Sequence, residues 1–234
     1  MRFDTVLLEF DGVLADTHAM RRGALARSLA DDGVALPDAA FDARCAGFAT
    51  REAAIAALAG EARRLDDTAL DLVALRADRY FAEQLGHGLT LAPGARELVE
   101  SLAGRVRLGI VTRAARREVE FVLGLAGLDA AFECLVAAED VHSPKPSPAP
   151  YQQAFERLAR TRPALPASTL ALEDAPPGII AAKAHKIRCV AVGPMPSFHA
   201  VQADAYLPSL VGQSLASLQA LLEPPRDRAV GGAG

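Results

Sequence analysis

Short, nearly continuous apolar runs punctuate this chain at Phe3 to Glu9, Val106 to Thr112, Cys134 to Ala137, Thr169 to Leu172 and Arg188 to Val192, with a shorter one at Ala205 to Leu207. Runs of that kind read as strands buried on both faces. Between them, apolar residues recur at helical spacing over 94–103, 114–125, 149–160, 177–185 and 212–222, and Pro93 and Pro177 suit first helical turns. Strands alternating with helices predict an α/β fold, a doubly wound parallel sheet of Rossmann-like form.

The first crossover breaks the rhythm. From residue 17 to 88 there is no strand pattern, only helical segments near 18–31, 38–46, 51–59 and 66–85, punctuated by Gly33, Pro37 and Gly60. This stretch is too long for an ordinary crossover, so it reads as an inserted small helical domain. The expected organisation is a core of residues 1–16 and 89–223, a helical insertion of 17–88, and a loose tail of 224–234 carrying Pro-Pro and Gly-Gly.

Acidic residues gather where the strands end. The first run closes on Glu9 and Asp11, which point the same way under period-two alternation, followed by Gly12 and a third acid at Asp16. The run at 169–172 ends in Glu173 and Asp174, ahead of Pro176-Pro177-Gly178. Carboxylates forced together repel unless a cation or a shared proton compensates, and a hard divalent ion such as Mg²⁺ is the simplest cation. Thr112 ends another apolar run, where it either caps the next helix or donates to a phosphate oxygen. Lys145 stands in Ser143-Pro144-Lys145-Pro146-Ser147-Pro148; the prolines stiffen the loop, and a fixed ammonium there can bind phosphate and offset the acids.

These motifs, in this order, resemble the haloacid dehalogenase superfamily, in its phosphatase and β-phosphoglucomutase-like branch. Its first motif is usually Asp-x-Asp-Gly-(Thr/Val)-Leu-x-Asp-(Ser/Thr), and here it is Glu9-Phe10-Asp11-Gly12-Val13-Leu14-Ala15-Asp16-Thr17, matching everywhere except at the first acid. Thr112 matches the second motif, Lys145-Pro146-Ser147-Pro148 the third, and Glu173-Asp174 the fourth.

The resemblance implies a Mg²⁺-dependent phosphatase of a small phosphate ester, with Glu9 as nucleophile and Asp11 as general acid and base. Thr112 and Lys145 would complete the catalytic set, with Glu9, Asp11, Glu173 and Asp174 at the metal. The insertion would be a cap that shapes the substrate pocket, with Arg51 and Arg76 as its substrate-binding candidates beside Arg113, Thr112 and Lys145 on the core. Phe48-Ala49-Thr50-Arg51-Glu52 carries the cap likeness. Relatives of the mutase kind place a His early in the first cap helix, where this chain has Arg21, with His18 nearby, so a sugar-phosphate mutase is the weaker reading. Glu is one methylene longer than Asp, about 1.5 Å at the carboxylate. Displacements on the order of 1 Å cost about a hundredfold in rate. A pseudoenzyme that binds Mg²⁺ and a phosphorylated metabolite is therefore the alternative.

Composition narrows the field further. In 234 residues the net charge is −4 and no basic stripe occurs, which argues against nucleic acid. Cys45, Cys134 and Cys189 are scattered and odd in number, without metal or disulfide spacing, and His87, His142, His185 and His199 form no ligand pattern. No stretch has the length and apolarity of a signal peptide or a membrane span. A cytoplasmic monomer acting on a small phosphorylated metabolite is expected.

Overall fold

The computed structural model describes residues 3–223 apart from 46, 47, 49, 60–63, 87, 89, 90 and 196. His87, Ala49 and the 224–234 tail thus lie outside the described residues. Six parallel strands form one sheet: β1 (Thr5–Leu8), β2 (Arg107–Val111), β3 (Cys134–Val136), β4 (Thr169–Glu173), β5 (Arg188–Val192) and β6 (Ala205–Leu207), in the order β3-β2-β1-β4-β5-β6. The chain leaves β1 toward β2 and later returns to its other side as β4. The strand order reverses there, and ligands of such sheets bind beyond the carboxyl ends at that point.

The central strands β1, β2 and β4 are buried on both faces, and alternate residues feed two cores. Val6, Leu8, Leu108, Ile110, Leu170 and Leu172 face α5 (Ala95–Leu102), α6 (Arg116–Ala126) and α10 (Leu215–Leu221) through Leu98, Val119, Val122 and Leu218. Leu7, Cys134, Val136, Ala171 and Cys189 face α7 (Ala149–Leu158) and α8 (Pro176–Ala184) through Tyr151, Ala154, Leu158 and Ile179. Gly109 keeps the second face close, since a Cβ there would come within 2.6 Å of the Cys134 sulfur. The short α9 (Ser197–Ala200) precedes β6. Pro93 is not in a first turn, as the pattern suggested. The α5 helix begins at Ala95 behind Gly94, whose φ of 84° and approach to the Leu210–Val211 backbone leave no room for a side chain.

Four helices stand between β1 and α5: α1 (His18–Ala30), α2 (Asp38–Arg44), α3 (Thr50–Leu58) and α4 (Asp67–Leu85). They bury a cluster of their own, with Leu25, Leu29, Phe41, Ala54, Leu70 and Val73 in it. Ser28 ties α1 to α4 by donating to the Val73 carbonyl at 2.8 Å. Ala24, Tyr80, Phe81 and Leu85 join the core beneath α5 and α6. The two chain segments that lead into and out of this helical block meet: Ala92 N–H donates to the Leu14 carbonyl at 2.9 Å, and Ala15 bridges to Leu91. Among the described residues no helix is long and apolar enough to cross a membrane.

Candidate active site

At the carboxyl ends of β1 and β4, a cavity of about 390 Å³ opens between the sheet and the helical block. Glu9, Asp11, Lys145, Glu173 and Asp174 line it from the sheet side, and Arg21, Arg51, Glu52 and Asp78 from the block. Arg113, Arg117 and Glu118 complete the lining beside β2 and α6.

Lys145 is its electrostatic centre. The ammonium is buried, and its three protons go to Glu9 Oε2 at 2.6 Å, Glu173 Oε1 at 2.5 Å and the Val111 carbonyl at 2.7 Å. Burial alone would lower its pKa, but the Glu173 and Glu9 carboxylates outweigh that and hold it above the ordinary value. Glu9 Oε1 folds back to accept the N–H of Phe10 at 2.8 Å, so both of its oxygens are engaged and the residue is only 5% exposed. The extra methylene of Glu is thus absorbed by a side chain that curls onto its own backbone.

Glu173 is more deeply buried, at 1% exposure. Tyr151, also buried, donates to the same oxygen that receives Lys145. The carboxylate rests against α8 where Gly178 has no side chain; a Cβ there would lie 1.8 Å from Oε2. Burial pushes the Glu173 carboxyl up to about 7 despite Lys145. Glu173 is held as counter-ion to the lysine.

Asp174 differs. Its carboxylate makes no hydrogen bond or ion pair with any described residue, and burial followed by Glu9, Glu173 and Asp11 raises its pKa well above the ordinary value. It packs against Gly12, whose φ is 72° and where a Cβ would be 2.4 Å from Oδ2. A carboxylate beside Glu9 that no described side chain hydrogen-bonds has the chemistry of a cation ligand. Among the described residues, however, no three His, Cys, Asp or Glu side chains converge on one metal position.

Asp11 is turned toward the helical block. Its Oδ1 accepts the Thr17 hydroxyl at 2.6 Å, and its Oδ2 lies 2.9 Å from Arg21 Nε. The other end of that guanidinium donates to Glu118 Oε2 at 3.0 Å.

The family model of the haloacid dehalogenase-like hydrolases matches residues 6–192. This chain belongs to that family. It is 31% identical over 192 residues to the validoxylamine A 7'-phosphate phosphatase of Streptomyces hygroscopicus subsp. limoneus, covering 80% of this chain and 84% of the relative. Its fold is shared with CbbY from Rhodobacter sphaeroides, solved in complex with phosphate, at a TM-score of 0.76 and 23% identity over 93% of this chain and 99% of that one. A β-phosphoglucomutase from Clostridium difficile superposes at a TM-score of 0.79 with 18% identity, covering 94% and 97% of the two chains.

Within this haloacid dehalogenase-like hydrolase, Glu9, Asp11, Lys145, Glu173, Asp174, Arg113 and Arg51 all reach the cavity lining. Thr112 does not. Nor does it cap α6, whose N-cap is Ala115: its hydroxyl accepts the N–H of Ala114, ahead of that helix, at 3.0 Å, and it borders a smaller pocket with Val141 and Pro150. Arg76 is also absent from the lining, because Ser28 and Asp32 of the helical block capture its guanidinium. Arg51 reaches the cavity but is paired with Asp71 at 2.6 Å and Asp67 at 2.7 Å. Arg113 has no carboxylate within ion-pair distance among the described residues; burial lowers its pKa and it donates to the Lys145 carbonyl at 3.4 Å. Tyr151, Arg21 and Glu118 were not candidates from sequence. Only Arg21 carried a signal there, its place in the first helix of the insertion.

Proposed function

We propose that the chain is a Mg²⁺-dependent phosphatase of a small phosphate ester, with Glu9 as the nucleophile. The observation that carries this is the contrast between two carboxylates on one cavity: Glu9, which accepts a hydrogen bond from Lys145, and Asp174, which accepts none from any described residue. Glu9, Asp174 and the Asp11 main-chain carbonyl would hold Mg²⁺. When bound, the ion supplies positive charge that screens an anionic nucleophile from an anionic phosphate. Glu173 is committed to Lys145 and Tyr151, so its part is to fix the lysine.

In the first displacement, Glu9 attacks phosphorus while Asp11 gives a proton to the departing oxygen. In the second, Asp11 takes a proton from the water that cleaves the acyl phosphate. Lys145 orients Glu9 throughout, and Arg113, with no carboxylate at ion-pair distance among the described residues, is the cation available to the substrate's anionic oxygens. Helices α1–α4 act as the cap, closing residues 17–88 over the core of 1–16 and 89–223. A monomer working in the cytoplasm on a phosphorylated metabolite fits this chemistry.

A second reading has its own support. The Phe10 N–H and the Lys145 ammonium hold Glu9 curled onto its own backbone, a conformation that in-line attack has to accommodate and that binding does not. On that reading the chain is a pseudoenzyme that senses a phosphorylated metabolite. Mg²⁺-dependent phosphate release over a panel of small esters, for the chain and for Glu9→Asp, separates the two. Turnover by the native chain that chelation abolishes supports the enzyme; activity in the Asp version alone supports the sensor.

A further inference from the structure

Charge is unevenly shared between the two sides of the cavity. Arg113 and Arg117, the cations with no carboxylate at ion-pair distance among the described residues, both stand on the core side. The two arginines of the helical side are already spent. Arg21 lies 2.9 Å from Asp11 Oδ2 and 3.0 Å from Glu118 Oε2, and Arg51 donates to Asp71 at 2.6 Å and to Asp67 at 2.7 Å. Each guanidinium faces two carboxylates, so neither has positive charge to spare for a ligand. His18 is turned to Asp42 at 3.1 Å.

Two acids of the helical side have the opposite standing. The Glu52 carboxylate, in the first turn of α3, has no hydrogen bond or ion pair among the described residues. Arg113 feels its charge without coming within ion-pair distance. Asp78 of α4 accepts the Thr50 hydroxyl at 2.6 Å through Oδ1, which leaves Oδ2 without a described donor. Thr50 and Glu52 share one turn of α3, so that hydrogen bond brings both acids to the same part of the cavity wall, where Ala53 and Ala77 line it with small side chains. The helix N-terminus favours an acid at Glu52 but gives no reason for Asp78, which belongs to another helix.

We infer that the alcohol half of the substrate carries an ammonium group, received by Glu52 and Asp78 while the phosphate lies toward Arg113 and the sheet. The inference rests on the phosphatase reading and deepens it by naming a substrate class, the phosphate esters of amino alcohols and amino sugars. A second phosphate or a carboxylate in the alcohol half would meet the same two acids, with no spare cation on the helical side to offset them.

Glucose 6-phosphate, glucosamine 6-phosphate and glucose 1,6-bisphosphate test this, since they differ in a hydroxyl, an ammonium group or a second phosphate away from the shared ester. Near neutral pH with Mg²⁺, kcat/KM for glucosamine 6-phosphate should exceed that for glucose 6-phosphate by about fivefold or more, with the bisphosphate poorest. Comparing 2-aminoethyl phosphate with 2-hydroxyethyl phosphate repeats the measurement at a shorter reach. Replacing both acids, Glu52→Gln with Asp78→Asn, should bring the amine preference to about twofold or less, and Glu52→Lys should favour the bisphosphate. The inference is overturned if neither pair shows a preference for the amine, or if that preference survives the double substitution.

Calorimetric titration with the same esters distinguishes this from failure of the phosphatase reading. Should the chain hydrolyse none of them yet bind glucosamine 6-phosphate about fivefold more tightly than glucose 6-phosphate, with the gap lost in the double substitution, the phosphatase reading fails and the assignment of the ligand stands. Equal affinities, or no binding of either ester by a chain that hydrolyses neither, overturn the assignment.

Discussion

Tyr151 donates its hydroxyl to Oε1 of Glu173, the oxygen that also receives the Lys145 ammonium at 2.5 Å. A side chain from the far face of the sheet therefore sets the charge balance of the cavity, through a chain running from Tyr151 to Glu173, Lys145 and Glu9. Tyr151→Phe keeps the ring's packing but leaves Glu173 one donor short. Hydrogen bonds to charged groups are worth about 1.5–3 kcal/mol, so a loss of that order in urea unfolding is expected. An unchanged midpoint would mean that the hydroxyl is dispensable.

Lys145→Met should cost more. It strands Glu9 and Glu173 in a buried site without a counter-ion, and breaking a buried pair from one side costs about 3–5 kcal/mol. Calorimetry should show the melting temperature falling by about 6 °C or more for a chain of this size. A smaller drop would show that one of the carboxylates had taken up a proton instead.

Asp140 gives a pH signature. Burial would raise its carboxyl, but Arg157 at 2.6 Å, the Ala137 N–H at 2.8 Å and Arg116 at 2.5 Å together hold it below the ordinary value. A depressed folded pKa contributes stability above the unfolded pKa of about 3.9 and loses it as pH falls through the folded value. The stability gap between the native chain and Asp140→Asn should be constant near neutrality and narrow below about pH 4. A gap that widens on acidification would reverse the assignment.

The three cysteines should be unreactive until the chain unfolds. All are buried and free, and burial pushes the Cys134 thiol up to about 11 and Cys45 and Cys189 above their ordinary values. Since the thiolate is the nucleophile, alkylation by iodoacetamide at mild alkaline pH should be slow in buffer and rapid in denaturant. Fast labelling of one site in the folded chain would contradict its burial.

Gly178→Ala probes the floor beneath Glu173. The added methyl meets Oε2 at 1.8 Å, so either the carboxylate or the first turn of α8 must shift. Overpacking of this kind costs about 1–3 kcal/mol, and here it should also lower any hydrolysis, by disturbing Lys145 through Glu173.

The six strands and the four helices before α5 were legible because each depends on local pattern: apolar runs for the sheet, helical spacing and Gly or Pro punctuation for the rest. Glu9, Lys145 and Asp174 were legible because strand tips and a proline-bracketed loop constrain where they point. The site's supporting contacts were not. Arg76 resembles a substrate ligand in sequence, yet Asp32 and Ser28, more than forty positions away, capture it on the inner surface of the block. Thr112 ends its strand as the pattern implies, yet its oxygen accepts the Ala114 N–H and the residue stands outside the cavity lining, which no local pattern reports. Tyr151 and Glu118 look like any aromatic and any acid on amphipathic helices. Their partners, Glu173 and Arg21, come from distant parts of the chain, and no periodicity within a helix reports such a meeting.

The junction at Leu14, Ala15, Leu91 and Ala92 has a further consequence. Because the polypeptide leaves and rejoins the sheet at a single pinned point, the intervening helices behave as a cassette. A different cassette, spliced at the same residues, would inherit Glu9, Lys145 and Asp174 unchanged while replacing Arg21 and Arg51. The side chains that face the cavity from the helical block can in this way diverge between descendants while those that face it from the sheet stay as they are.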